Sequence, residues 1–201
     1  MQGSSLLSFA IWVPIVAGFA VLTTGSDRHA GVARMVALAG AILGFLVTIP
    51  LYVAFDPSAS GFQFVQLKPW IEVFNVNYHL GIDGISLLLI LLNSLTTILV
   101  VIAGWQVIQE RVAQYMAAFL FLSGFMNGVF AALDGLLFYV FFEATLIPMF
   151  VVIGIWGGPN RVYASLKFFL YTLLGSLLAL IAIIYLYNAS GVIGSESRRK
   201  P

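Results

Sequence analysis

The 201-residue sequence contains no cysteine. Disulfides are therefore excluded, and so are the thiolate ligands that iron–sulfur clusters need. Histidine is nearly as scarce: His29 and His79 both fall between apolar runs, so no span offers a haem two axial imidazoles. Charged residues make up 8% of the chain, where a soluble domain carries roughly 25%. The net charge is +1, and the nine Lys and Arg are scattered except for Arg198, Arg199 and Lys200, so no basic patch points to nucleic acid. Phosphate loops, nucleophile triads and metal-ligand spacings are missing, as are the soluble catalytic domains of an ATP-driven pump. The expectation is a protein with no cofactor or redox centre of its own.

Apolar residues, by contrast, make up 61% of the chain, with a mean hydropathy of +1.04. Six apolar runs stand out, at about Leu6–Thr23, Ala33–Phe55, Ile85–Val107, Ala113–Leu133, Leu136–Trp156 and Ala164–Tyr187. Each is long enough to cross the ~30 Å hydrocarbon core as a helix. The fold expected is an all-α, polytopic transmembrane bundle of six spans over residues 1–190. The first run lacks a preceding basic residue and is long for a signal peptide, so it reads as a retained helix.

Basic residues in short loops set the orientation. Arg28 and Arg34 flank the first loop, Arg111 lies in the third, and Arg161 in the fifth, with Lys167 just inside the sixth span. This bias places loops one, three and five in the cytoplasm and the N-terminus outside. Trp105 and Trp156 close their spans on the cytoplasmic side, as interfacial anchors do. The polar stretch 191–201, ending Ser195–Pro201 (SESRRKP), opposes the bias and reads as a non-native tail on an interrupted chain. In the second loop, Phe74–Leu80 alternates apolar and polar residues, which predicts an extended segment. Lys68–Pro69 is expected to break it from Gly61–Leu67, and the two pieces have the makings of a hairpin.

Glu143 is the most informative residue. It lies seven positions past Leu136, about 10 Å into the bilayer at ~1.5 Å per residue. A carboxylate there costs about 2.5–3.5 kcal/mol on the insertion scale, and intramembrane acids mark ion or proton paths. The alternative is a neutral acid hydrogen-bonded to a neighbouring helix. Pro148 supplies no N–H for the carbonyl of Ala144, which leaves a free acceptor beside the acid. Lys167 reads equally as an interfacial anchor or as part of a proton path. Asp83 reads as a helix-start residue favoured by the dipole, and Asp134 as a solvated turn. Asn93, Ser94, Thr96, Thr97 and Asn127 read by default as packing residues, with bonding between helices as the alternative.

Three stretches carry a family resemblance: Leu80–Leu87 (LGIDGISL), Phe141–Met149 (FFEATLIPM), and Gly154–Ala164 (GIWGGPNRVYA) running on to Lys167–Ser176. Together they resemble the antiporter-like membrane subunits of proton-translocating NADH–quinone oxidoreductase (respiratory complex I), and chain M, the counterpart of mitochondrial chain 4, more than its sisters. The resemblance runs from the first span to about Asn188. It implies fourteen spans in inverted repeats, other membrane subunits as partners beside the lipid, and NADH, FMN, iron–sulfur clusters and quinone held in those partners. It also implies a proton-path role for the acid at Glu143, which the family pairs with a lysine on a broken seventh helix. These residues stop before that helix, so the chain reads as an N-terminal portion. Two other classes stay open: a subunit of a sodium/proton antiporter or membrane-bound hydrogenase complex, and a non-transporting membrane scaffold.

Overall fold

The computed structural model describes residues 4–25, 29–59, 61–71 and 76–189. Six helices long and apolar enough to cross a membrane dominate it: α1 (Ser4–Thr23), α2 (Ala30–Val53), α3 (Gly84–Val107), α4 (Val112–Ala131), α5 (Gly135–Trp156) and α6 (Arg161–Ala189). Each coincides with one expected run to within a turn. Two strands, β1 (Gln63–Ile71) and β2 (Val76–Ile82), join α2 to α3.

α4 is the central post and packs on α1, α2, α3 and α5. Its sequence allows this because the facing positions are small. A Cβ on Gly124 would sit 2.5 Å from Ile15 Cγ1 and 2.7 Å from the Ile11 carbonyl of α1, and one on Gly128 would sit 2.5 Å from the ring of Phe141 on α5. Close backbone approach of this kind is how helices associate where lipid is as apolar as leucine. α6 packs chiefly on α5 and leaves most of its surface uncovered.

Polar side chains add a second tie. Asn93 on α3 donates to Asn127 Oδ1 (2.8 Å) and to the Ser123 carbonyl (2.9 Å) on α4. Asn127, fully buried, donates to the Ala10 carbonyl on α1 at 2.9 Å. Interhelical bonding is thus present at Asn93 and Asn127 and spans three helices, whereas Thr97 bonds back to the Asn93 carbonyl of its own helix. At the opposite end from the hairpin, Arg34 on α2 donates to the Ile108 carbonyl at 2.8 Å, placing a cation at the C-terminus of α3. Trp156 donates to the Glu110 carbonyl at 3.0 Å, so the fifth loop lies beside the third. Loops three and five and the start of α2 therefore share one end of the bundle.

The strands pair antiparallel at the other end, but the expected break at Lys68–Pro69 is not there: β1 runs through both residues to Ile71. The reason is the size of the sheet. With two strands, each keeps a free edge, and proline is tolerated on an edge or beside an irregularity; the register shifts between Pro69 and Ile71. A second shift, between Gln63 and Gln66, brackets Phe64 in the left-handed region at φ 54°. Phe74 lies outside the described residues, as do Arg28 and the 191–201 tail.

Asp134 also differs from expectation. It caps α5, accepting from the N–H groups of Leu136 (2.9 Å) and Leu137 (3.1 Å). The Leu133 N–H donates to the His79 carbonyl at 2.9 Å, which docks the hairpin onto the α4–α5 turn. The hairpin covers part of the turn, so the residue is a half-buried cap and not a freely solvated one. Asp83 caps α3 in a reciprocal box with Ser86, as its helix-start reading requires.

Candidate functional site

Two faces of α5 do different work. Leu137, Phe141, Leu146 and Pro148 are buried, and Phe141 and Pro148 face α4. Phe150 meets Phe169 of α6 with the rings tilted at 57°, and Gly154 lies against Ser165 of α6. Tyr139 and Glu143 precede Phe150 by eleven and seven positions, which at 3.6 residues per turn puts them on that second, α6-facing stripe. The phenol of Tyr139 lies near both the Glu143 carboxyl and the Ser176 hydroxyl of α6, and that hydroxyl donates to the Leu173 carbonyl of its own helix at 2.9 Å. Glu143 thus sits at the α5–α6 seam, half-buried, with Tyr139 one turn before it.

The acid is not fully satisfied. Its Oε1 is buried and has no hydrogen-bond partner among the described residues. An unpaired buried carboxyl oxygen is expensive. Helix α5 continues through Pro148 without interruption, five residues further on.

Lys167 is not part of this arrangement. Ser165, Phe169, Ser176 and Ile183 of α6 meet α5 and share a single helical face. Lys167 is turned roughly 180–200° from them, at ~100° per residue. It is exposed, and its ammonium lies over the rings of Tyr163 (5.7 Å) and Tyr171 (5.8 Å), one turn to either side. Glu143 also lies about 10 Å deeper than Lys167, counted from their loop at ~1.5 Å per residue. Asp83 and Asp134 are engaged as caps. Among the described residues no group of His, Asp or Glu is placed to hold a metal ion.

The sequence reading missed Tyr139. Its four-residue spacing from Glu143 is the signal that could have found it, since i and i+4 share a helix face. Ser176 carries no comparable signal, because the pairing of α5 with α6 fixes it.

Residues 35–131 match the family model described as NADH-ubiquinone oxidoreductase chain 4, amino terminus. Residues 132–197 match that of the NADH:quinone oxidoreductase/Mrp antiporter transmembrane region. The chain belongs to the subunit M/chain 4 family of NADH–quinone oxidoreductase and represents its N-terminal portion. It is 47% identical over 193 residues to NADH-quinone oxidoreductase subunit M of Rhodobacter capsulatus, covering 93% of this chain and 36% of the relative. It is 40% identical over 186 residues to NADH-ubiquinone oxidoreductase chain 4 of Arabidopsis thaliana, covering 92% and 37%. A chain of respiratory complex I from Thermus thermophilus with bound NADH superposes with a TM-score of 0.78 at 31% identity, covering 92% of this chain and 36% of that one. The chain thus spans a little over a third of the length of these subunit M/chain 4 relatives.

Proposed function

We propose that this chain is part of a proton-translocating membrane subunit of respiratory complex I, with Glu143 as the intramembrane acid of its first proton path. The observation that carries the reading is the buried, unpartnered Oε1 of Glu143 at the α5–α6 seam of a subunit M/chain 4 fold. A carboxyl there takes up a proton when no cation is near and releases it when one approaches. Tyr139 and Ser176 offer hydroxyls able to hand that proton on along the seam.

The approaching cation is not Lys167, which faces away. By resemblance it is a lysine on a segment beyond these 201 residues, in a fourteen-span subunit of inverted repeats. The driving force comes from redox chemistry in partner subunits, which hold NADH, FMN, iron–sulfur clusters and quinone. The N-terminus and the hairpin lie outside, and loops three and five in the cytoplasm of a bacterial plasma membrane. The wider antiporter reading rests on the family model over residues 132–197; the chain 4 model over residues 35–131 favours complex I.

The test is Glu143→Gln in the full-length subunit within its complex, with proton pumping and quinone reductase activity measured in membrane vesicles. The amide keeps size and hydrogen bonding but cannot exchange the proton. Pumping should fall while the variant subunit assembles at normal level, and Glu143→Asp should retain more. A Glu143→Gln variant that assembles and pumps like the parent makes Glu143 a packing residue.

A further inference from the structure

Two cavities on the outer face of α1 share Phe9 and Trp12. One, of about 410 Å³, lies between the start of α1 and strand β1 and is lined by Ser8, Gln66 and Lys68 besides those two rings. The other, of about 480 Å³, is a groove between α1 and α2 running from Phe9 down to Ala20. Its floor is shallow because the two helices nearly touch, with a Cβ on Gly40 coming 2.5 Å from that of Ala17. Eleven residues of helix make the groove about 16 Å long, the depth of one leaflet of a ~30 Å hydrocarbon core.

The upper cavity has a built polar end. Gln66 is 5% exposed, and its Oε1 accepts from Ser8 Oγ at 2.6 Å. Ser8 in turn contacts the Tyr78 hydroxyl at 3.2 Å, and that hydroxyl accepts from Trp12 Nε1 at 3.3 Å. Because the single Ser8 hydroxyl hydrogen goes to the Gln66 carbonyl, Tyr78 donates to Ser8, and the order is Trp12 to Tyr78, Tyr78 to Ser8, Ser8 to Gln66 Oε1. With Oε1 on Ser8, the NH₂ of the amide points away from it. That Nε2 is buried and has no partner among the described residues. The donors feeding the carbonyl polarise the amide and sharpen Nε2 as a donor. Beside it, Lys68 adds a cation at the mouth.

We propose that this composite groove binds one anionic phospholipid of the hairpin-side leaflet. Lys68 and Gln66 Nε2 take the phosphate, and an acyl chain lies along the α1–α2 groove past Trp12. The length match and the joining of a cationic, donor-bearing end to an apolar trough specify a lipid rather than a free anion. The inference is independent of the role given to Glu143.

The full chain, reconstituted in phosphatidylcholine bilayers, is titrated with phosphatidylglycerol brominated on its acyl chain. Quenching at Trp12 is read as the difference between the parent and Trp12→Phe. Phosphatidylglycerol should be preferred over phosphatidylcholine by about fivefold, the order expected for one basic residue near the surface. Lys68→Ala and Gln66→Glu should each bring the ratio towards parity, with helix content unchanged by circular dichroism; the second exchanges only an NH₂ for an oxygen. A parent ratio near one, or a ratio indifferent to both variants, overturns the proposal. So does a Trp12 that no brominated lipid reaches, which would mean a protein segment fills the groove. Relief of quenching by millimolar inorganic phosphate would mark a free-anion site instead. Loss in Lys68→Ala alone would remove Gln66 and overturn the two-donor headgroup site.

Discussion

Asn127 on α4 donates to the backbone carbonyl of Ala10 on α1 at 2.9 Å, between two apolar helices. It accepts at the same time from Asn93 of α3. One side chain thus holds three helices in register through groups that lipid cannot solvate. Asn127→Leu keeps the volume and strands the Ala10 carbonyl and one N–H of the Asn93 amide, whose other N–H keeps the Ser123 carbonyl. Leaving a buried group unpaired costs about 1–3 kcal/mol. The bundle should lose stability by that order in denaturant titration in micelles, whereas Asn93→Ser, which keeps a donor on α3, should lose less.

Gly124 tests packing in place of polarity. Its absent Cβ is what lets α1 come within van der Waals reach, with the Ile11 carbonyl itself in the way of any side chain. Because that atom is backbone, it cannot swing aside. Gly124→Val should force α1 and α4 apart and cost about 1–3 kcal/mol or more. The measurement is the unfolding midpoint, or the yield of properly inserted protein where the variant is too weak to purify.

Asp83 supplies a pH test. The Ser86 hydroxyl and then the Ser86 N–H hold its carboxyl below the usual value of 3.8, outweighing the effect of burial. A lowered folded-state pKa means that the carboxylate contributes stability above the unfolded value. That contribution fades as pH falls through 3.8 and on through the folded value. The gap in stability between the parent and Asp83→Ala should be constant near neutrality and shrink as the pH drops below about 4. A gap that does not move with acid would assign the cap to the Ser86 side chain alone.

Sidedness follows from which loops lie together. Arg34 and Trp156 gather the third and fifth loops at one end, and the hairpin and the α4–α5 turn occupy the other. With the basic loops inside, Ser58→Cys in the full-length subunit should react with an impermeant maleimide added to intact cells, and Asn160→Cys should not. Both positions are exposed, so accessibility in the fold does not bias the result. The reverse labelling inverts the orientation without changing the fold.

What was legible in the sequence is what one-dimensional patterns encode. The six runs declared themselves because a span must be apolar along its whole length, and the depth of Glu143 followed from counting along one of them. Pro69 misled because a proline reads as a strand break until one knows that the sheet has only two strands. Asp134 misled for a related reason: its neighbours in sequence form a turn, but the hairpin that covers it comes from some fifty-five residues earlier, across α3 and α4. Gln66 looked like any loop glutamine, and only the approach of Ser8 from α1 gives its amide a direction. Tertiary neighbours, not local composition, decide these three.

Lys167 is the internal comparison for Glu143. Both are ionisable residues within apolar helices, and a proton path drawn from the sequence would run through both. The structure separates them by face and by depth. Lys167 lies over Tyr163 and Tyr171 on the uncovered side of α6, near the Arg161 end, whereas Glu143 lies in the seam with Tyr139 and Ser176. A cation at that end can reach the interface, and water replaces it when it is removed. Lys167→Ala in the assembled complex should therefore leave pumping within about twofold of the parent, a loss of no more than ~0.4 kcal/mol in barrier terms. Glu143→Gln should lower pumping by tenfold or more, about 1.4 kcal/mol or above. Tyr139→Phe, which deletes only the hydroxyl next to the acid, should fall between the two if the phenol passes the proton along the seam. Equal damage from Lys167→Ala and Glu143→Gln would place Lys167 on the path, with a partner on its outward face contributed by another segment.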